Sequence, residues 1–597
     1  MPAQEFRGTI TGRVVDAQQG VVVGAKISAT NADTGARFET VTGGDGQYTL
    51  PFLQPGEYRI TAEAQGFKRY IREGVRVVTN DRRALDINLE LGQIAETVTV
   101  TAETSLLETS SASLGQVITA RQIENMPMNG RTPLVLAQLA FGVTPASDPR
   151  FYRPFDNAGP SGFSMGGAPA QTNELLLDGA PDTTRNMRVA YNPPVDGVEE
   201  VKVETFMADA AYGHTAGGTV NVVMKGGTNA FHGSAYNFNQ VSALAATPFF
   251  TNRASQKKPV TRYNQYGVNA GAPLIIPKLF NGTNKVFWYF AFEGIKDSFP
   301  EPITTSVPSD AFRQGNFASL LTINANYTIY DPTTGVVEGS RIRRQPFVGN
   351  AIPANRISAI ARNYFQFWPA PNQPGQADGR DNFLSNSVRS DDYDSEIGRL
   401  DFNLSEKHKF FYNFRHNYRL ENRGNRFFNI GTGNFLKRVN WGTMFDDVYT
   451  FNPTTLLNTR LNWTRFTEGS TRPSNGFDMT SLGFPQSLAA ASTRAVLPRV
   501  EPGAINALGD SGGDDTPFDI FQIFATLTKI RGKHSLKFGA DLRLQRESSN
   551  GFGNSSGLYQ FGTNWTRGPL DNSTSAPFAQ EFASFLLGLP TGGNWQV

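Results

Sequence analysis

The sequence contains no cysteine. That excludes a disulfide scaffold, an iron–sulfur protein, a thiol enzyme and cysteine-ligated zinc, and it suits an exported bacterial chain that forms no disulfides. Charge is also scarce: 18% of the 597 residues are charged and the formal net charge is +2, where a typical domain carries about 25% charged residues. Lysine and arginine form no long runs, so no nucleic-acid partner is expected. No stretch approaches the roughly 18 apolar residues of a membrane-spanning helix, and mean hydropathy is −0.35. Helical membrane proteins are thereby excluded. Barrels are not, because their strands alternate and escape hydropathy. Met1-Pro2-Ala3-Gln4-Glu5 lacks the basic and apolar segments of a signal peptide. Either the chain is not exported, or a signal was trimmed with Ala3-Gln4 at the old cleavage point.

Aromatic residues and turn formers are abundant, with 45 Phe, 18 Tyr, 6 Trp, 59 Gly and 35 Pro. Few charges with many aromatics is the reverse of a disordered chain. Residues 6 to 92 read as short alternating strands: Gly8–Asp16, then Ala25–Thr30, with turns at Gln18-Gln19-Gly20 and Asp33-Thr34-Gly35. Asp45-Gly46 is a hairpin signal, and Leu53-Gln54-Pro55-Gly56-Glu57-Tyr58 is a second turn. Regular strand spacing without helical periodicity predicts a small β-sandwich. The wording Thr42…Gly46-Gln47-Tyr48…Leu53…Pro55-Gly56-Glu57-Tyr58…Gly66-Phe67 resembles the carboxypeptidase regulatory-like domain. That resemblance implies a transthyretin-like sandwich, grouped with carbohydrate-binding-like folds, over residues 1–92. It does not imply a peptidase. HxxE and HExxH patterns are missing, and His214, His232, His408, His416 and His534 are scattered. No catalytic residues, metal or cofactor are expected, and the chain reads as a non-enzyme.

Residues 93–228 form a second unit. Glu96-Thr97-Val98-Thr99-Val100-Thr101-Ala102 alternates, and a Ser/Thr-rich linker follows from Thr104 to Ser113. Arg121–Glu124 and Thr132–Leu139 predict short helix, the latter with Pro133 at its start. Leu175–Gly179, Val198–Val203 and Ala216–Lys225 read as strands. Met126-Pro127-Met128-Asn129-Gly130-Arg131, Leu177-Asp178-Gly179, and Gly217-Gly218 with Lys225-Gly226-Gly227-Thr228-Asn229 and His232-Gly233 resemble the plug of an Oar-like TonB-dependent transporter. A regulatory-like domain before an α/β plug is the arrangement that family implies.

From residue 229 the strands lengthen. Leu536, Phe538, Ala540, Leu542 and Leu544 oppose Ser535, Lys537, Gly539, Asp541 and Arg543; Leu457, Thr459, Leu461 and Trp463 oppose Asn458, Arg460, Asn462 and Thr464; Phe410, Tyr412 and Phe414 oppose Phe411, Asn413 and Arg415. Strands of about ten residues with one apolar and one polar face suit lipid outside and a wet or plugged lumen inside. Short turns at Ser405-Glu406-Lys407, Asn452–Thr455 and Arg531-Gly532-Lys533 alternate with long segments near 297–390, 420–437 and 467–516, as tight periplasmic turns alternate with external loops. Phe312–Phe317, Tyr330-Asp331-Pro332 and Asn350–Ala354 also resemble Oar-like barrels. Nine antiparallel strands are predicted near 230–239, 261–272, 285–296, 391–404, 407–419, 438–451, 456–466, 517–530 and 534–546. Plugged transporters have about 22, so the sequence reads as a fragment carrying an incomplete transmembrane barrel.

The resemblance implies a bacterial outer-membrane transporter with TonB as periplasmic partner, lipid around the barrel, and a ligand at external loops and plug apices. Siderophore, oligosaccharide, peptide and protein export remain open, as does an adhesion protein anchored by its barrel. Glu96–Ala102 is the candidate TonB box, which would act by strand addition to a sheet edge. The other reading makes it the sandwich's last strand or the plug's first. Asn129-Gly130-Arg131 and Asp178-Gly179 read first as turns. His408 and His416 share a face with Phe410 and Phe414, a girdle rather than a metal site. Trp288, Tyr289, Phe365, Phe367 and Trp368 are ligand platforms or interfacial aromatics.

Overall fold

The computed structural model describes residues 6–101, 114–148, 152–206, 213–247, 249–253, 258, 260–531 and 534–596. The fold is mainly β, with 48% strand and 12% helix. Among the described residues no helix is long and apolar enough to cross a membrane, which says nothing of a β-barrel.

The N-terminal strands form a two-sheet sandwich. Gln47–Leu53 and Arg82–Ala84 flank Gly8–Asp16, which also pairs with Ile87–Leu89. The facing sheet runs Arg37–Val41, Lys26–Asn31, Gly56–Glu63, Arg69–Val77, Thr97–Thr101. Alternate residues such as Ile10, Val14, Ile27, Ala29, Ile60 and Ala62 meet between the sheets, the period-2 burial that alternation requires. Gly46 turns the chain with φ +71°, yet Arg37–Val41 and Gln47–Leu53 lie in different sheets, so the expected hairpin is instead a corner. Asp-Gly dictates a local reversal; which strand pairs with which depends on the edges left vacant elsewhere. The second sheet also continues to Thr101, beyond the boundary expected at 92.

The second unit is less helical than the expected α/β plug. Its sheet runs Leu114–Thr119, Val198–Phe206, Thr219–Met224, Glu174–Leu177, Ala180–Pro181. Ala120–Asn125 is a single six-residue α-helix. Pro133–Leu139 is a 3₁₀ helix whose buried residues, Pro133 with Leu136 and Leu134 with Ala137, repeat every three positions, the 3₁₀ period.

Nine strands then form one sequential antiparallel meander: His232–Val241, Arg262–Pro273, Val286–Pro300, Val388–Asn403, His408–Arg423, Asn434–Asn452, Thr455–Thr471, Asp514–Arg531 and His534–Glu547. Their outer face exposes Phe445, Leu461, Ile523 and Leu542, while Asn413, Arg415, Arg460 and Thr464 are buried on the inner face. The sandwich sits at the short-turn end, where Phe52 packs on Val448 and Leu456.

At the opposite end the long connections do not trail as open loops. Several of the strands run further out than expected, and the segments between them close around Phe312, Phe317, Tyr364, Trp368, Leu482, Phe578, Phe582 and Phe585 in one shared core. Phe367 and Trp368 belong to that core, with Trp368 Nε1 donating to the Asn506 carbonyl at 2.8 Å. Trp288 points outward from its strand, while Tyr289 points inward and donates from its hydroxyl to the Asp196 carbonyl at 2.7 Å.

Candidate functional site: the interface of the second unit with the wall

The second unit meets the inner face of the strands through polar side chains that those strands bury. Asp178 and Gly179 form the turn between Glu174–Leu177 and Ala180–Pro181, with φ +50° and +77°. Asp178 Oδ1 accepts from the Met224 amide at 2.9 Å and Oδ2 accepts from Asn413 Nδ2 at 3.1 Å. Its carboxylate also lies 3.5 Å from the Arg399 guanidinium. Burial pushes the Asp178 carboxyl pKa up, and Arg399 opposes that shift. The Gly179 carbonyl accepts from Arg460 Nη1 at 2.6 Å. A Cβ at Gly179 would lie 2.6 Å from that guanidinium, so glycine is needed for the approach as well as for the turn. This turn is therefore also a grip.

Arg460 is closed off from solvent and pairs with Asp446 at 2.9 Å. Asp446 in turn pairs with Arg7 of the sandwich at 3.1 Å. Phe6, beside it, is buried with Ala180, Val223, Phe411 and Met444. Sandwich, second unit and wall thus share one polar node.

Asn129-Gly130-Arg131 makes a second grip. Gly130 and Arg131 both have positive φ. Arg131 pairs with Asp196 at 2.9 Å, and its guanidinium lies 4.7 Å and 5.0 Å from the ring centroids of Tyr236 and Phe238 on the first wall strand. Gln265 Nε2 donates to the Gly130 carbonyl at 3.4 Å, while Asn129 is exposed. Gly217 and Gly218 sit just before Thr219–Met224, donating to the Thr172 carbonyl at 3.1 Å and Asn173 Oδ1 at 3.3 Å. The Gly218 carbonyl accepts from the Glu174 amide at 3.0 Å. Glu174 then reaches Arg543 at 2.7 Å. Asp182 of the second unit is buried and pushed up to about 7, against the opposing pull of Arg415 and the Tyr191 amide.

The second unit and the sandwich are joined by Glu200, whose Oε2 accepts from the Thr79 amide at 2.7 Å and hydroxyl at 2.9 Å. Burial outweighs these bonds and pushes Glu200 up to about 7.

Thr97–Thr101 of the candidate box is a strand lying parallel on Arg69–Val77, in register from Arg69 opposite Thr97 to Glu73 opposite Thr101. This is the sandwich's-last-strand alternative for the segment. Glu96 precedes it, with its carbonyl accepting from the Arg69 amide at 2.9 Å and its carboxylate 3.5 Å from Lys68. Ala102 lies outside the described residues.

Of the wall arginines, Arg415, Arg460 and Arg543 were placed on polar strand faces by the sequence but given no partner, and Arg399 and Arg419 were not singled out. A signal for several of them was present: Arg389-x-Asp391, Arg399-x-Asp401, Arg419-x-Glu421 and Asp541-x-Arg543 each place opposite charges two apart on one strand face. His408 Nε2 lies 2.7 Å from Asp447 and His416 lies against Trp441, both on the outer face. Among the described residues, no group of three or more His, Asp or Glu could hold a metal ion.

A wall of alternating strands with one apolar face defines a class, and the family match agrees: residues 223–597 match the outer membrane β-barrel domain model, and the chain belongs to that family. It is an outer-membrane protein. Residues 9–90 match the carboxypeptidase regulatory-like domain. The chain is similar to the TonB-dependent transporter Oar of Myxococcus xanthus, 25% identical over 345 residues, which is 55% of this chain and 30% of that protein. The chain therefore spans about a third of that relative's length. Among solved structures, the outer-membrane transporter YddB of Escherichia coli aligns with TM-score 0.47 and 10% identity over 75% of this chain and 50% of that one. The ferric enterobactin receptor of Pseudomonas aeruginosa aligns with TM-score 0.34 and 13% identity over 74% and 59%.

Proposed function

We propose that this chain works as part of an outer-membrane TonB-dependent transporter, divided into the sandwich at 1–92, the coupling segment, linker and plug at 93–228, and the barrel from 229. A ligand binds at the external lobe and plug apices; TonB then pulls from the periplasmic side and opens a path. No covalent chemistry is needed. The observation that carries this reading is the polar grip of the plug on the wall. Ion pairs and hydrogen bonds such as Asp178–Arg399 and Glu174–Arg543 can be exchanged for water when the plug moves, whereas an apolar interface would resist wetting.

TonB would engage Glu96–Ala102 by strand addition, after or alongside its release from Arg69–Val77. Proline at Val98 removes a backbone donor and fixes φ, so a strand containing it pairs poorly. Full-length V98P is expected to lose binding to the purified C-terminal domain of TonB and to lose energised uptake, while still assembling in the outer membrane. TonB binding by V98P equal to the parent would remove the box assignment. The rigid external lobe favours one second reading, a surface-binding protein anchored by its barrel, in which V98P would leave function unchanged.

A further inference from the structure

We propose that a cleft in the external lobe binds a small anion through carboxylate or phosphate groups. This rests on the reading that the external end captures the ligand, and it names the ligand's chemistry. The cleft holds about 420 Å³, within the usual range for ligand pockets. Its lining carries four guanidinium groups, Arg423, Arg426, Arg472 and Arg499, against a single carboxylate, Asp510.

That carboxylate is already shared, lying 3.2 Å from Arg499 and 3.6 Å from Arg472, and Arg499 also pairs with Glu501 at 2.7 Å, which leaves Arg426 as the guanidinium with the least compensated charge. Arg426 donates to Asn506 Oδ1 at 2.9 Å and has no carboxylate within ion-pair distance among the described residues. Arg423 lies 3.7 Å from Glu421, which also pairs with Arg389 and Arg419. Arg499 Nε is buried without a hydrogen-bond partner among the described residues. Arg472 is fixed in place by Asn434 and by the Ser511 carbonyl and hydroxyl. The cleft therefore holds excess positive charge in partly immobilised side chains. Guanidinium forks match planar carboxylates and phosphate oxygens bidentately, and an anion there gains most from groups that have no competing carboxylate.

Calorimetry on the purified full chain in detergent tests this with citrate, pyrophosphate and sucrose. One anion or both should bind at low millimolar concentration or better, more weakly in high salt, and sucrose should not bind. The citrate and pyrophosphate arms separate a carboxylate ligand from a phosphate one. R426Q, which keeps a donor for Asn506, should weaken binding about tenfold, the loss of one charged hydrogen-bonding group. R423Q, at a half-exposed side chain, should weaken it less. Failure of the folded parent to bind either anion, or unchanged affinity in both variants, would overturn the proposal. TonB binding is measured separately, so loss of the coupling reading and loss of the anion cleft are distinguishable outcomes.

Discussion

Arg415 and Arg460 are among the largest fully buried side chains in the molecule. Taking a guanidinium out of water costs several kcal/mol, and only close partners offset it. Arg460 finds Asp446 and the Gly179 carbonyl; Arg415 finds the side chains of Asn462 and Thr464. The same logic separates two neighbours on the last wall strand. Leu542 is 65% exposed on the outer face, whereas Arg543 faces inward to Glu174 and Asp541. Leu542→Arg puts a charge toward lipid at about 2–4 kcal/mol near mid-bilayer, and membrane assembly should fall, read as loss of heat-modifiability. Arg543→Leu should spare insertion but strand the buried Glu174 carboxylate, an effect on the order of 3–5 kcal/mol, read as protease sensitivity of the plug. The reverse pattern would invert the facing of the strand.

At the level of elements, Glu200 joins the second unit to the sandwich at Thr79, and burial raises its carboxyl pKa. Glu200 rises to about 7 in the docked state from an ordinary value of 4.5, so the docked form binds the proton more tightly. To the extent that docking supplies the burial, docking should be strongest below pH 4.5, weaken as pH rises to about 7 and be level above that, by at most about 3 kcal/mol. The cysteine-free sequence allows spin labels at Gln65→Cys and Lys285→Cys, both exposed. The distance between them should lengthen or broaden between pH 5 and 8, and Glu200→Gln should flatten that response. The external lobe makes a separate claim. Phe585 is buried against Tyr364, Trp368, Phe561 and Phe582, so Phe585→Ala should cost about 3–5 kcal/mol of lobe stability. Proteolysis of the lobe should accelerate while the strands remain membrane-inserted. Equal resistance to protease would mean that the loops do not share one core.

For the whole molecule, the nine-strand meander runs from His232–Val241 at one edge to His534–Glu547 at the other, with Asn550–Gly551 adding a short tenth strand beside Asp514–Arg531. In hydrocarbon each unpaired backbone group costs several kcal/mol, so these edges must find partners. This 597-residue chain, purified by itself, should associate through them, and light scattering should report oligomers; a monodisperse, heat-modifiable monomer would mean that the two edges meet. Strand number and facing were legible because alternation is a local property: Leu542 and Arg543 declare their faces to any reader of the pattern. The sandwich's strands and the Asp45-Gly46 reversal were legible for the same reason. Other features were not, because they depend on residues far apart in the chain. Asp45-Gly46 became a corner, Thr97–Thr101 came to lie on Arg69–Val77, and the connections closed into a lobe. Asp178-Gly179 showed itself in sequence as a turn, and only the fold brought Arg399 and Arg460 to it from more than two hundred residues away. Local periodicity determined the strands and their faces; edge vacancy, burial and charge pairing across the assembled interior decided what each turn and buried cation would hold.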